Sequence, residues 1–439
     1  MFTSKEIDYL STTIQNLPSP NLRYIFSQQK QDKKQEYFTK NRPIGLFQPE
    51  ECFEINYQFK IPPTNIRSAI YDEKLIEKRE LLKNQLNHEL IQKIGEIINP
   101  FSEIFHPQFK SKDVVILAYL NYLFHFIPEL DSFNFLELCG GFSEFIFSKS
   151  KGNIKGFQFP VNLQIEDQNQ KILFQHPNLL TYQGNISNLE NINTLIKQSF
   201  YQANRQQLHL VLGYSLISGL KEKNDKQEFS RIFLSEILIM FRTLMKGGSF
   251  LCRISGFLNQ FTLGLLFILY HSFEQFWLFQ PELLDDDLEF YVICRGFQFP
   301  AVLDYNLLEA LRLLSPPQSI DPSSIEIVPL KIIFDNYIFI DYVKIFLKNL
   351  LENSIDKLEK LNLLSDKKSP ERLKLKFFNY EEKIKIRNDF FDLSGISNII
   401  FDNNQQNNQR RIRKHPNNIQ NQYLGNDFQG YEDFQRRKF

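Results

Sequence analysis

Cysteine is scarce in this chain, and no two cysteines sit close together. Cys52, Cys139, Cys252 and Cys294 form no C-x-x-C pair. That spacing argues against a zinc site or a disulfide framework and favours a reducing compartment. Three of the four fall in apolar runs, where a buried thiol is the expected state. Net charge is also absent. Lys+Arg and Asp+Glu are both 51, so the whole protein has no surplus to draw it to RNA. The N-terminus lacks an apolar signal core, and Glu6 and Asp8 count against a presequence. The most apolar window, Phe261–Tyr270, is too short to span a bilayer and reads as a buried helix, so no transmembrane segment is expected. No His-Glu-x-x-His pair, Walker loop or serine nucleophile elbow occurs. His106, His125, His209 and His271 stand beside apolar residues and read as packed or solvent-facing. Asp285-Asp286-Asp287 reads as a solvated hairpin tip. No metal site is expected.

Aromatic and aliphatic residues are plentiful. Hydrophobic residues make up 42% of the 439, with 44 Phe, which is enough for a large core. Residues 1–85 carry Pro18, Pro20, Pro43, Pro49, Pro62 and Pro63, which break any long helix, so this zone reads as an N-terminal arm. Residues 86–300 hold the main domain. It opens with helical spacing at Leu90, Ile91, Ile94, Ile97 and Ile98, and a second apolar helix follows from Val114 to Phe126. Residues 301–400 read as a helical continuation of that domain. Residues 401–439 form a polar Asn/Gln-rich tail with a basic cluster at Arg410, Arg411, Arg413 and Lys414, which cannot bury a core by itself.

Between 131 and 300, short apolar runs alternate with helical patterns. The predicted strands are Phe133–Cys139, Asn153–Phe159, Leu208–Leu212, Ser249–Ile254, Phe276–Phe279 and Glu289–Arg295. The predicted helices are Ser143–Ser150, Ile186–Phe200, Gln227–Met245 and Leu258–Phe273. This alternation predicts an α/β fold with a mostly parallel, doubly wound sheet. The last two strands read as an antiparallel hairpin closing that sheet. The first strand runs into Gly140-Gly141 and then a helix start at Ser143. Such a turn lets the backbone bend tightly and opens helix amides toward a ligand at the switch point of a Rossmann-like sheet.

Leu136-Glu137-Leu138-Cys139-Gly140-Gly141-Phe142-Ser143 resembles the S-adenosylmethionine loop of the FtsJ-type cap-specific mRNA 2′-O-methyltransferases. Further motifs follow in order. Gly184-Asn185-Ile186 resembles the family's Gly-Asp-Ile. Met245 to Arg253 resembles its Gly-Gly-x-Phe-x-Cys-Lys strand, and Glu289 to Gly296 its Glu-Arg-Tyr-Val-Val-Cys-Lys-Gly. The resemblance runs over roughly residues 95–400 and implies a Rossmann-like S-adenosylmethionine-dependent methyltransferase fold with helical additions.

The same resemblance implies a Lys–Asp–Lys–Glu tetrad, in which a tunable lysine serves a poorly acidic ribose hydroxyl. Alignment sets the first lysine at Ile116 or Leu117, the aspartate at Gly213, the second lysine at Arg253 and the glutamate at Glu289. Arginine keeps charge but does not deprotonate. Glu137, Gly140, Gly141 and Asn185 are the vestigial cofactor-side positions, and the loop lacks the family's Ala-Ala-Pro. These departures imply a pseudoenzyme that needs no cofactor and serves as a structural or adaptor subunit among protein partners. One alternative is an active RNA 2′-O-methyltransferase using S-adenosylmethionine, with Lys110 or Lys112 supplying the missing amine. Another is a non-catalytic RNA binder working through the basic tail. The family implies nucleus or cytoplasm; the Asn-, Gln-, Lys- and Phe-rich composition leaves a mitochondrial assembly open.

Overall fold

A computed structural model describes residues 69–86, 112–138, 141–149, 152–159, 175–182, 186, 188–203, 206–215, 223–256, 258–281, 288–298, 303–315, 321–322, 325–365, 383–385, 387–388 and 391. Its centre is a seven-stranded sheet. The strands are β1 (Ser132–Glu137), β2 (Asn153–Gln158), β3 (Leu179–Thr181), β4 (Leu208–Ser215), β5 (Leu244–Ser255), β6 (Phe273–Phe279) and β7 (Glu289–Phe297). Their spatial order is β3-β2-β1-β4-β5-β7-β6. The first five are parallel, while β7 pairs antiparallel with both β5 and β6. This is a Rossmann-like methyltransferase fold with helical additions. The closing hairpin expected from sequence is present, with β7 set between β5 and β6 and β6 at the edge. β3, only three residues long, was not predicted, because so short a run carries no periodicity.

The helices are α1 (Glu73–Gln85), α2 (Lys112–Phe124), α3 (Ser143–Lys149), α4 (Leu189–Gln202), α5 (Lys223–Thr243), α6 (Gln260–Ser272), α7 (Leu303–Leu314), α8 (Leu330–Asp335) and α9 (Tyr337–Ser365). Of these, α1 and α6 begin at side-chain caps. Asp72 accepts the Lys74 amide at 3.0 Å to start α1. Asn259 and Thr262 form a reciprocal capping box at α6, which satisfies amides that have no partner within the helix. The apolar window Phe261–Tyr270 lies buried in α6, as its hydropathy implied.

Strand alternation divides the core in two. Leu136 of β1, Leu138 just beyond it, and Phe290, Val292 and Cys294 of β7 face α4–α7 and α9. Phe133, Phe135, Tyr291 and Ile293 face α2 and α3. Both faces are covered, so the strands read as near-continuous apolar runs. Ile70, Tyr71 and Ile76 belong to the first cluster, so the stretch from residue 70 to α1 packs on the domain. The buried Arg79 of α1 donates from Nε to Ser354 Oγ on α9 at 2.7 Å. The edge strand β6 is blunted from the same side: the Tyr342 hydroxyl accepts the Leu278 amide at 2.8 Å, removing a donor on which another strand could pair. The helical stretch predicted around Leu90–Ile98, the Asp285–Asp287 tip and the basic tail lie outside the described residues. Among the described residues, no helix is long and apolar enough to cross a membrane, and no cluster of metal-binding side chains occurs.

Candidate functional site

In an open parallel sheet, ligands approach the carboxyl ends of the strands near the point where strand order reverses. Here that point lies between β1 and β4. Glu137, Arg253 and Glu289, singled out from the sequence, lie at this end, whereas Lys110 and the Lys112 side chain lie outside the described residues. Arg253, two residues before the end of β5, points toward the α2 side of the sheet. Its Nη2 bonds Glu289 at the start of β7, and its Nη1 reaches Asp113 Oδ1 at 3.3 Å. The guanidinium also lies 6.0 Å from the Tyr291 ring centroid, at the outer limit of a cation–π contact. All three charged residues are under 10% exposed. The result is a buried acid–arginine–acid triad across α2, β5 and β7.

Asp113 was not foreseen. Alignment placed the helix contribution at Ile116 or Leu117, but both are buried among apolar neighbours. The residue that turns toward Arg253 lies one helical turn earlier, in the first turn of α2. An acidic residue at a helix start is commonplace, so the sequence held no distinguishing signal. The far end of α2 is held by a second arginine, with Arg295 Nη1 donating to the Phe124 carbonyl at 3.1 Å.

Gly213 does not join the triad. The strand register pairs Gly213 with Cys252, and Tyr214 with Arg253. Because alternate residues face opposite sides, Gly213 points to the α5 face. A Cβ there would stand 2.6 Å from Glu236 Oε2. Glu236 is fully buried and accepts from the Cys252 thiol at 3.1 Å. Glycine at 213 thus leaves room for a carboxylate delivered from α5, and any larger residue would make Glu236 shift.

Glu137 ends β1 and is also fully buried. One carboxylate oxygen accepts the Phe142 amide at 2.6 Å, and the other accepts the Ser143 amide at 3.0 Å together with the Ser143 hydroxyl. The chain reverses between them through Gly141, whose φ of 128° suits glycine. Glu137 thus caps α3 from below. The Phe142 and Ser143 amides at this helix start are thereby taken up within the protein. At the end of β2, where a sugar-binding carboxylate would be useful, stands Gln158, fully buried and accepting from Thr181 Oγ1 at 3.4 Å. Gly140 and Asn185 lie outside the described residues.

Burial pushes the Glu137 carboxyl above its ordinary range, against the pull of the Ser143 hydroxyl and the Phe142 and Ser143 amides; the charge of Asp113 adds to the rise. The folded state then holds a proton that the unfolded chain has already released, so stability falls as pH rises from the ordinary carboxylate value through the raised one. Thermal unfolding followed across mildly acidic to neutral pH should show that slope, and Glu137→Gln should flatten it. An unchanged slope in the variant would assign the titration to another group.

Comparison with known proteins adds to this geometry. No family model matches the chain. A cap-specific mRNA (nucleoside-2′-O-)-methyltransferase 1 of Dictyostelium discoideum is 29% identical over 233 residues, covering 45% of this chain and 31% of its own. The human protein of the same name is 24% identical over 289 residues, 59% of this chain and 34% of its own. The chain is a relative of the cap-specific mRNA 2′-O-methyltransferases. It spans about a third of the length of these curated relatives. A Caenorhabditis briggsae relative, 26% identical over 180 residues, covering 38% of this chain and 21% of its own, bears the name inactive cap-specific mRNA (nucleoside-2′-O-)-methyltransferase 1B. Among solved structures, a ribosomal RNA methyltransferase from Plasmodium falciparum aligns with a TM-score of 0.36 and 19% identity over 44% of this chain and all of its own.

Of the positions aligned with the expected tetrad, Arg253 and Glu289 meet in the structure, and Asp113 joins them through Arg253. A cavity of about 550 Å³ lined by Glu129, Asp131, Phe133 and Lys149 opens at the amino end of β1, away from this site.

Proposed function

We propose that this chain is a catalytically degenerate 2′-O-methyltransferase-fold protein that serves as a structural or adaptor subunit of a larger assembly. One observation carries the reading. The cation at the carboxyl end of β5 is a guanidinium held between two buried carboxylates. A ribose hydroxyl needs a group that can accept or orient its proton, and arginine stays protonated throughout the physiological range. The capping role of Glu137 and the shortened turn support the same reading from the cofactor side. A rigid fold can outlive its chemistry as a platform for contacts. The nucleus, cytoplasm and mitochondrion all remain compatible with such a subunit, and protein partners are its main ligands.

The second reading, an active RNA 2′-O-methyltransferase, is favoured by the names of most of the curated relatives and by the retained Glu289. Calorimetric titration of S-adenosylmethionine into the purified protein, followed by a methyl-transfer assay on capped RNA, separates the two. The adaptor reading expects no heat of binding and no transfer above background. Micromolar binding with transfer that disappears in Glu289→Gln would overturn it.

A further inference from the structure

We infer that Asp113 is a built-in occupant of an oxyanion site on Arg253, so that α2 closes the carboxyl end of the sheet upon itself. The inference rests on the reading above, in which Arg253 is not a proton acceptor but a fixed cation. Three observations support it. Arg253 presents two guanidinium nitrogens in different directions, Nη2 to Glu289 and Nη1 to Asp113. Glu289 belongs to β7, whose register with β5 is fixed by backbone pairing, so that half of the contact is part of the sheet. Asp113 instead arrives from a separate helix, well removed in sequence, through a contact of 3.3 Å.

A guanidinium edge facing away from a fixed carboxylate is a site for one further oxyanion. In this protein the first turn of α2 supplies that oxyanion. Its chemical class is a small carboxylate. Any external ligand bearing one must displace Asp113 before it can reach Nη1, and α2 must shift for that to happen. The closure also explains how Arg253 is tolerated with so little exposure: Glu289 and Asp113 together satisfy a charge that would otherwise be costly to bury.

The test is chemical rescue. Asp113→Ala deletes the carboxylate and leaves a gap of its size beside Nη1. Formate is the probe, because it is a bare carboxylate small enough to enter. Unfolding temperature is measured in formate and in chloride at matched ionic strength. Asp113→Ala should show a saturable rise of several degrees specific to formate, the wild type should show none, and the double variant Asp113→Ala with Arg253→Met should lose the rise. Where Asp113→Ala is recovered unfolded, formate present during refolding should restore the yield of folded protein and chloride should not. An equal response in wild type and Asp113→Ala, or a response that persists without Arg253, would overturn the inference. Methyl transfer by the wild type would overturn the adaptor reading and not this one, since rescue is read from stability alone.

Discussion

Arg253→Met is expected to destabilise the fold by about 3–5 kcal/mol, because it strips the shared cation from two carboxylates that remain buried. Asp113 and Glu289 would then face each other's charge across α2 and β7 without the guanidinium that bridges them. Such a loss lowers the midpoint of thermal unfolding by roughly 10 °C in a domain of this size. Arg253→Lys should lose less, because it keeps the charge, but an ammonium cannot span both acids as the planar guanidinium does. The order Met worse than Lys worse than wild type, read by calorimetry, is the check. If Met proved neutral, the triad would be contributing nothing to stability. Adding Asp113→Asn to Arg253→Met should recover part of the loss, since it removes one of the stranded charges, and a double-mutant cycle measures that coupling.

The second large effect is expected at Gly213. Aligning by motif makes Gly213→Asp look like the restoration of a catalytic aspartate. The structure leads to the opposite outcome. The new side chain would point to the α5 face, where its Cβ alone would stand 2.6 Å from Glu236 Oε2. It would place a second carboxylate against one that is already fully buried. Overpacking and an unpaired buried charge together should cost about 3–5 kcal/mol, with no gain of methyl transfer. Gly213→Ala, which adds the clash without the charge, should cost about 1–3 kcal/mol. Denaturant midpoints of the two variants would separate the steric from the electrostatic part. A stable Gly213→Asp protein that methylates RNA would refute this account of both Gly213 and Arg253.

Much of this architecture was legible in one dimension. The strands around Phe135, Phe157, Val211, Phe250 and Val292 are apolar over most of their length because helices cover both sheet faces, and that burial is written directly into composition. The glycine turn between β1 and α3 was equally plain, since Gly141 takes a φ that other residues avoid. The ordered motifs through Glu289 made the kinship with 2′-O-methyltransferases visible before any coordinate was considered.

Three matters depended on tertiary structure. Sequence could say that Arg253 is charged and β5 apolar, but not which acids would neutralise it. Asp113 sits 140 residues away, and only the docking of α2 brings the two together. Sequence placed the missing aspartate at Gly213, yet the face on which a strand residue lies depends on register, and a shift of one residue exchanges the faces. Finally, the motif marks Glu137 as a cofactor-side position, and only the fold shows that its oxygens accept the Phe142 and Ser143 amides at the start of α3. Local pattern determines the elements because propensity and burial act through near neighbours. Which charged groups meet at the ends of those elements depends on how the helices dock, and no periodicity along the chain encodes that.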